Sequence, residues 1–114
     1  MAKGWHGVDL DGTLAHYDGW KGVEHIGKPI PAMVKLVKDL LKAGEEVRIF
    51  TARVSAPNSA EAKKHIDAWA RQHIGTALPI TNVKDFGMIH LYDDRCTQVE
   101  QNTGRLVGKK KETK

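Results

Sequence analysis

The chain has 114 residues, 40% of them hydrophobic and 28% charged, with a formal net charge of +4. That length makes one domain with a single core, and the composition is that of a soluble globular protein, not of a disordered or fibrous one. No apolar run approaches the roughly twenty residues of a spanning helix, and residues 1–6 lack the apolar stretch of a secretory signal.

In chain order, Gly7–Leu10 is a short apolar run that reads as a buried strand, and it leads into Asp9-Leu10-Asp11-Gly12-Thr13. Residues 15–28 break into Gly, His, Asp and Trp without periodicity and read as a flap. Pro31 suits the first turn of a helix. Met33, Val34, Val37, Leu40 and Leu41 then recur at helical spacing up to a stop at Gly44. Glu46–Thr51 is a second strand by its β-branched and aromatic content, and 51–57 is a loop. Asn58, with Glu61 three residues on, predicts a capping box for a helix that turns Ala62, Ile66, Trp69, Ala70 and His73 inward and ends at Gly75. Pro79–Val83 and Met88–Tyr92 are short strands, the second running into Asp93-Asp94-Arg95. A last helix is expected over Thr97–Thr103, with Arg105-Leu106-Val107 as an edge strand. Trp5 and Trp69 read as core, and Trp20 is the tryptophan suited to recognition. The lone Cys96 excludes an internal disulfide and fits a reducing cytoplasm, where it reads as a small buried hydrophobe.

Strands alternating with helices predict right-handed crossovers and an α/β fold: a single Rossmann-like three-layer sandwich with a mostly parallel central sheet and no sizeable cap domain. Residues 1–107 make this domain and 108–114 a basic, solvated tail. Four lysines against one glutamate in 109–114 account for three of the four net positive charges. In parallel sheets the functional crevice lies beyond the carboxyl ends of the strands. There the template collects Asp9 and Asp11 from the first strand, Thr51 from the second, and Asp93 and Asp94 from the fourth.

Two carboxylates two residues apart share one side of a strand, and uncompensated buried charge is costly. A divalent cation relieves the repulsion, and hard oxygen ligands suit Mg²⁺. The competing reading of Asp11-Gly12 is a plain hairpin turn. Asp93 and Asp94 cannot both point the same way on an ideal strand, so one is expected on the metal and the other beside it. His65 and His73 lie two turns apart, about 12 Å at 1.5 Å per residue, too far to share an ion. His16 and His25 read as loop residues.

The motif Asp9-x-Asp11-Gly12-Thr13, the strand-terminal Thr51, the intervening Lys84 and the pair Asp93-Asp94 resemble the haloacid dehalogenase superfamily, mainly Mg²⁺-dependent phosphatases with an aspartate nucleophile. Thr51-Ala52-Arg53 and the segment 93–100 are most similar to the phosphatase domains of polynucleotide kinase-phosphatases. The resemblance implies that Asp9 attacks phosphorus and binds the metal. It also implies that Asp11 shuttles the proton while its backbone carbonyl meets the metal. By the same resemblance Asp94 is the direct ligand, Asp93 supports it, and Thr51 and Lys84 receive the phosphoryl group. Gly12 permits the tight turn and Thr13 fixes the loop by side-chain hydrogen bonding. Ala52, Arg53 and Arg95 complete the substrate side, the two arginines able to grip phosphate bidentately.

The short flap predicts an open site suited to a phosphorylated end on something large, such as a polynucleotide 3′-phosphate, acting in the cytoplasm and away from membranes. The alternative substrate is a small phosphomonoester, a nucleotide or sugar phosphate, with an oligomer partner as lid. Outside catalysis, a phospho-receiver module places its adjacent acids after the first strand, the reverse of the order here. A catalytically silent Mg²⁺-binding protein is the remaining alternative.

Overall fold

The computed structural model describes residues 4–55 and 57–108. Its sheet has four parallel strands, β1 (Trp5–Val8), β2 (Glu46–Phe50), β3 (Ile80–Thr81) and β4 (Met88–Tyr92), in the order β3-β2-β1-β4. Two helices, α1 (Pro31–Lys42) and α2 (Ser59–His73), flank it, and the result is a Rossmann-like α/β sandwich without a large cap domain. Among the described residues no helix is long and apolar enough to cross a membrane.

β1 is paired on both sides, and all four of its residues are buried. Its register sets Val8 beside Ile49 of β2 and Tyr92 of β4, so the three strand ends nearest the acidic motif stop level with one another. In β2 the inward residues Val47 and Ile49 alternate with Arg48 and Phe50, the period of a strand with two different faces. Val8, Val47 and Ile49 meet Val34 and Val37 of α1 and Ile66, Trp69 and Ala70 of α2 in one core. Sharing one core is what right-handed crossovers predict when consecutive strands step in one direction.

The opposite face carries a thin layer. The segment 82–87 returns across it from β3 to β4, and Asp85 accepts a hydrogen bond from Trp5 Nε1 at 2.8 Å. The Arg48 guanidinium lies 4.4 Å from the Trp5 ring, within cation–π range. This clamp buries Trp5 on a face over which none of the described residues forms a helix.

Several local expectations are corrected. β1 covers Trp5–Val8 and not Gly7–Leu10, so Asp9 is the first residue past the strand. β2 stops at Phe50, 52–55 form a 3-10 turn, and β3 shrinks to Ile80–Thr81. The capping box does not form: Asn58, at φ -96 and ψ 38, lacks the extended backbone of an N-cap and makes no side-chain cap bond, and the Glu61 carboxylate pairs instead with His65 at 2.8 Å. The helix expected over 97–103 is absent. Val99 bridges Leu106 antiparallel, Glu100 N donates to Arg105 O at 2.7 Å, and Asn102 sits at φ 67. That stretch has one strong hydrophobe, Val99, and therefore no apolar stripe to hold a helix on the core. The edge strand 105–107 is reduced to that single bridge, and Cys96 is exposed. The tail beyond residue 108 lies outside the described residues.

Candidate functional site

The loop after β1 begins where Asp9 N donates to Tyr92 O at 2.9 Å, a last parallel rung that ties the ends of β1 and β4. The chain then turns through Leu10–Leu14, closed by Gly12 N to Ala15 O at 2.8 Å. Gly12 has φ 92, and a Cβ there would stand 2.6 Å from Asp94 Oδ2. Only glycine allows both that backbone conformation and the close approach of the Asp94 carboxylate. Thr13 completes the junction. Its hydroxyl accepts from Asp94 N at 2.9 Å and donates to Asp94 Oδ1 at 3.0 Å, while Asp9 Oδ2 is farther at 3.5 Å. A hydroxyl has one hydrogen to give, so it goes to Asp94. Asp94 is thereby held from two atoms.

The carboxylates of Asp9, Asp93 and Asp94 converge, each offering an oxygen within 4.8 Å of the others. The alternation argument for Asp93 and Asp94 fails here for a simple reason: β4 ends at Tyr92, and both acids lie past it. Asp93 is also aimed locally, accepting from Arg95 N at 2.8 Å. Burial pushes the Asp9 carboxyl up to about 7, helped by the charge of Asp93 and by Asp94. Three carboxylates, those of Asp9 and Asp93 half-buried and that of Asp94 exposed, with no lysine or arginine side chain bonded to them among the described residues, make a hard-oxygen donor set that could hold a small divalent cation. The donors fit Mg²⁺.

Asp11 goes elsewhere. Both its oxygens are taken by Arg53, Oδ2 by Nε at 2.7 Å and Oδ1 by Nη2 at 2.8 Å. Its side chain is outside the carboxylate cluster, which leaves only its backbone for the metal role expected of it. Arg53 is buried, and it also donates to Val23 O at 3.3 Å and His25 O at 2.9 Å while lying 4.8 Å from the Trp20 ring. The arginine expected to grip phosphate is thus the bolt that fastens the flap to the acidic loop. The flap has other fixings. His16 N donates to Lys28 O at 2.8 Å and Trp69 Nε1 to Gly27 O at 2.9 Å.

Thr51, at 2% exposure, accepts from Arg53 N at 3.2 Å and so starts the 3-10 turn. The hydroxyl is the acceptor in that bond, so its hydrogen is available to a ligand oxygen.

A cavity of about 770 Å³ joins these groups. Asp9, Asp11, Asp93, Asp94 and Arg95 form its acidic end, and Phe50, Thr51, Ala52 and Arg53 its floor. Tyr17, Trp20 and Val23 of the flap wall one side, and Ser55, Asn58 and Asn82 make a polar rim. Lys84 is not brought here. It is exposed on the segment 82–87 and does not line the cavity, because past Asn82 that segment turns away across the sheet. Sequence reasoning missed Ser55, Asn58 and Asn82, which carry no motif. It singled out Trp20 of the flap for recognition, and the ring does line the cavity, but it gave no such place to Tyr17 or Val23 beside it.

No family model matches this chain, and no curated protein matches it. Among solved structures it is similar to a conserved protein from Bacteroides thetaiotaomicron, with 21% sequence identity and a TM-score of 0.59. The likeness covers 83% of this chain and 78% of that one. At that identity the likeness speaks for the fold.

Proposed function

We propose that this protein is a Mg²⁺-dependent phosphomonoester hydrolase of the haloacid dehalogenase type, working through an aspartyl-phosphate on Asp9. The observation that carries the reading is the convergence of three carboxylates from two strand ends on a cavity that also holds Thr51. Asp9, Asp93 and Asp94 would hold the ion, joined by the backbone of Asp11. Bound Mg²⁺ supplies charge neutralisation between a carboxylate nucleophile and an anionic ester.

The chain's own groups account for the rest. An Asp9 carboxylate oxygen bonds phosphorus as the bond from phosphorus to the ester oxygen breaks, and Asp11 hands its proton to the departing oxygen. Water then attacks the phosphorus of the aspartyl-phosphate, Asp11 takes the water proton, and inorganic phosphate leaves with Asp9 restored. Thr51 donates to a phosphoryl oxygen. Arg53 bonds each Asp11 oxygen once and leaves each a second lone pair for the proton, so the arginine that fastens the flap also orients the acid–base group. Lys84 has no part in this scheme; Arg95, which lines the cavity, is the cation we assign to the phosphoryl group.

Two substrate readings have support. With no cap over the site, a phosphorylated chain end such as a polynucleotide 3′-phosphate can reach Asp9. The flap wall and a cavity of about 770 Å³ favour a small phosphomonoester held whole, since pockets of this size enclose ligands of nucleotide dimensions. Hydrolysis of p-nitrophenyl phosphate with and without Mg²⁺, by wild type and Asp9→Asn, tests the reaction itself. The expected result is Mg²⁺-dependent turnover in the wild type and none in the variant. Equal turnover in the two proteins refutes Asp9 as the nucleophile.

A further inference from the structure

We infer that the flap is a stacking platform, with Trp20 its contact surface, and that the group it selects is a nucleobase next to the phosphate to be removed. The inference rests on the phosphatase reading for its phosphate end, but the platform itself is argued from the flap. Trp20 is 58% exposed although the Arg53 guanidinium lies over its ring at 4.8 Å. With one face backed by a cation, the exposure belongs to the other face and the edges. Exposing so much of a tryptophan is unfavourable, and here the exposed ring lines the same cavity as Asp9 and Thr51.

The surface behind the ring is also fixed. Arg53 is held by Asp11 and by the carbonyls of Val23 and His25, so the indole rests on a fixed surface. Pre-organisation of this kind lowers the entropic cost of binding. Tyr17, 46% exposed, stands on the same wall. A phosphoryl group and one ion leave most of about 770 Å³ unfilled, room for a nucleoside. Asn58, Asn82 and Ser55 on the rim offer donors and acceptors to base edges and ribose hydroxyls. A sugar phosphate would use the rim, but its puckered ring would gain less from the flat aromatic wall than a planar base does. A base stacked on an aromatic side chain contributes between about five- and 150-fold in affinity.

The shared chemistry, a base beside a phosphomonoester, occurs both in free nucleotides and at a polynucleotide end. Tryptophan emission separates these, because Trp5 and Trp69 are 2% and 7% exposed and Trp20 is the tryptophan that ligands reach. The ligands are adenosine 3′- and 5′-monophosphate, a 3′-phosphorylated oligonucleotide, and glycerol phosphate as the non-aromatic comparison, all with Mg²⁺ present. Saturable quenching by the base-bearing ligands and none by glycerol phosphate is expected, with the quenching lost in Trp20→Phe. Quenching by the mononucleotides identifies free nucleotides as the source, and quenching by the oligonucleotide alone identifies a chain end. In turnover, the preference in kcat/KM for the base-bearing ester over glycerol phosphate should fall about ten-fold in Trp20→Ala and largely return in Trp20→Phe. Quenching without turnover upholds the platform and removes the phosphatase reading. No quenching, or a preference that Trp20→Ala leaves intact, overturns the platform whatever the turnover.

Discussion

Asp9 carries the conflict on which the site is built. Its carboxyl is pushed up to about 7 by burial and by two neighbouring acids, so the folded protein holds a proton that the unfolded chain loses near pH 4. Between those values the native state binds more protons than the unfolded state, and stability falls as pH rises through the window. Thermal melts in EDTA from pH 4 to pH 8 should show that decline, and Asp9→Asn should flatten it. A variant that melts with the same slope as the wild type would remove Asp9 as its source. The sequence already marked Asp9, Asp93, Asp94, Gly12 and Thr13, because acids at the end of an apolar run have few structural uses. It could not place Lys84 or divide the work of Asp11 and Arg53. Those outcomes depend on which way a short loop leaves β3 and on a pairing between residues 42 positions apart.

The flap, residues 15–30, shows how an element without periodicity can still be ordered. It is secured by backbone bonds at its root and by Arg53 near its middle. Removing that arginine leaves the Asp11 carboxylate, 19% exposed, without its partner and frees two flap carbonyls. Breaking a pair buried to this degree costs on the order of 3 kcal/mol, a fall of roughly 10 °C in Tm for a domain of this size. Arg53→Ala should melt lower by that amount and be cut faster by protease within 15–30. An unchanged melt with an unchanged cleavage pattern would show that the flap is held without the bolt. The helices and the long strands were legible as elements because their apolar spacing survives any packing arrangement. The segment 97–103 was not, since its turn and bridge depend on Asn102 and Leu106 and not on a repeating pattern.

For the molecule as a whole, an ion bound at the cluster as proposed would couple folding to binding. A ligand that binds only the native state stabilises it by about 2.7 kcal/mol at one hundred times its Kd. Mg²⁺ should therefore raise the Tm, more at pH 8 than at pH 5, because at the lower pH it competes with the proton on Asp9. Asp94→Asn should abolish most of the rise. A shift equal in wild type and variant, or equal at both pH values, would place the ion elsewhere. Local pattern sufficed for the α/β alternation, the parallel sheet and the acids at the strand ends, since periodicity and like-charge repulsion are short-range properties of the chain. Which acids share one centre, which is tied to an arginine, and how the flap walls the cavity needed the folded chain. Those are distances between segments far apart in sequence, set by sheet register and strand order.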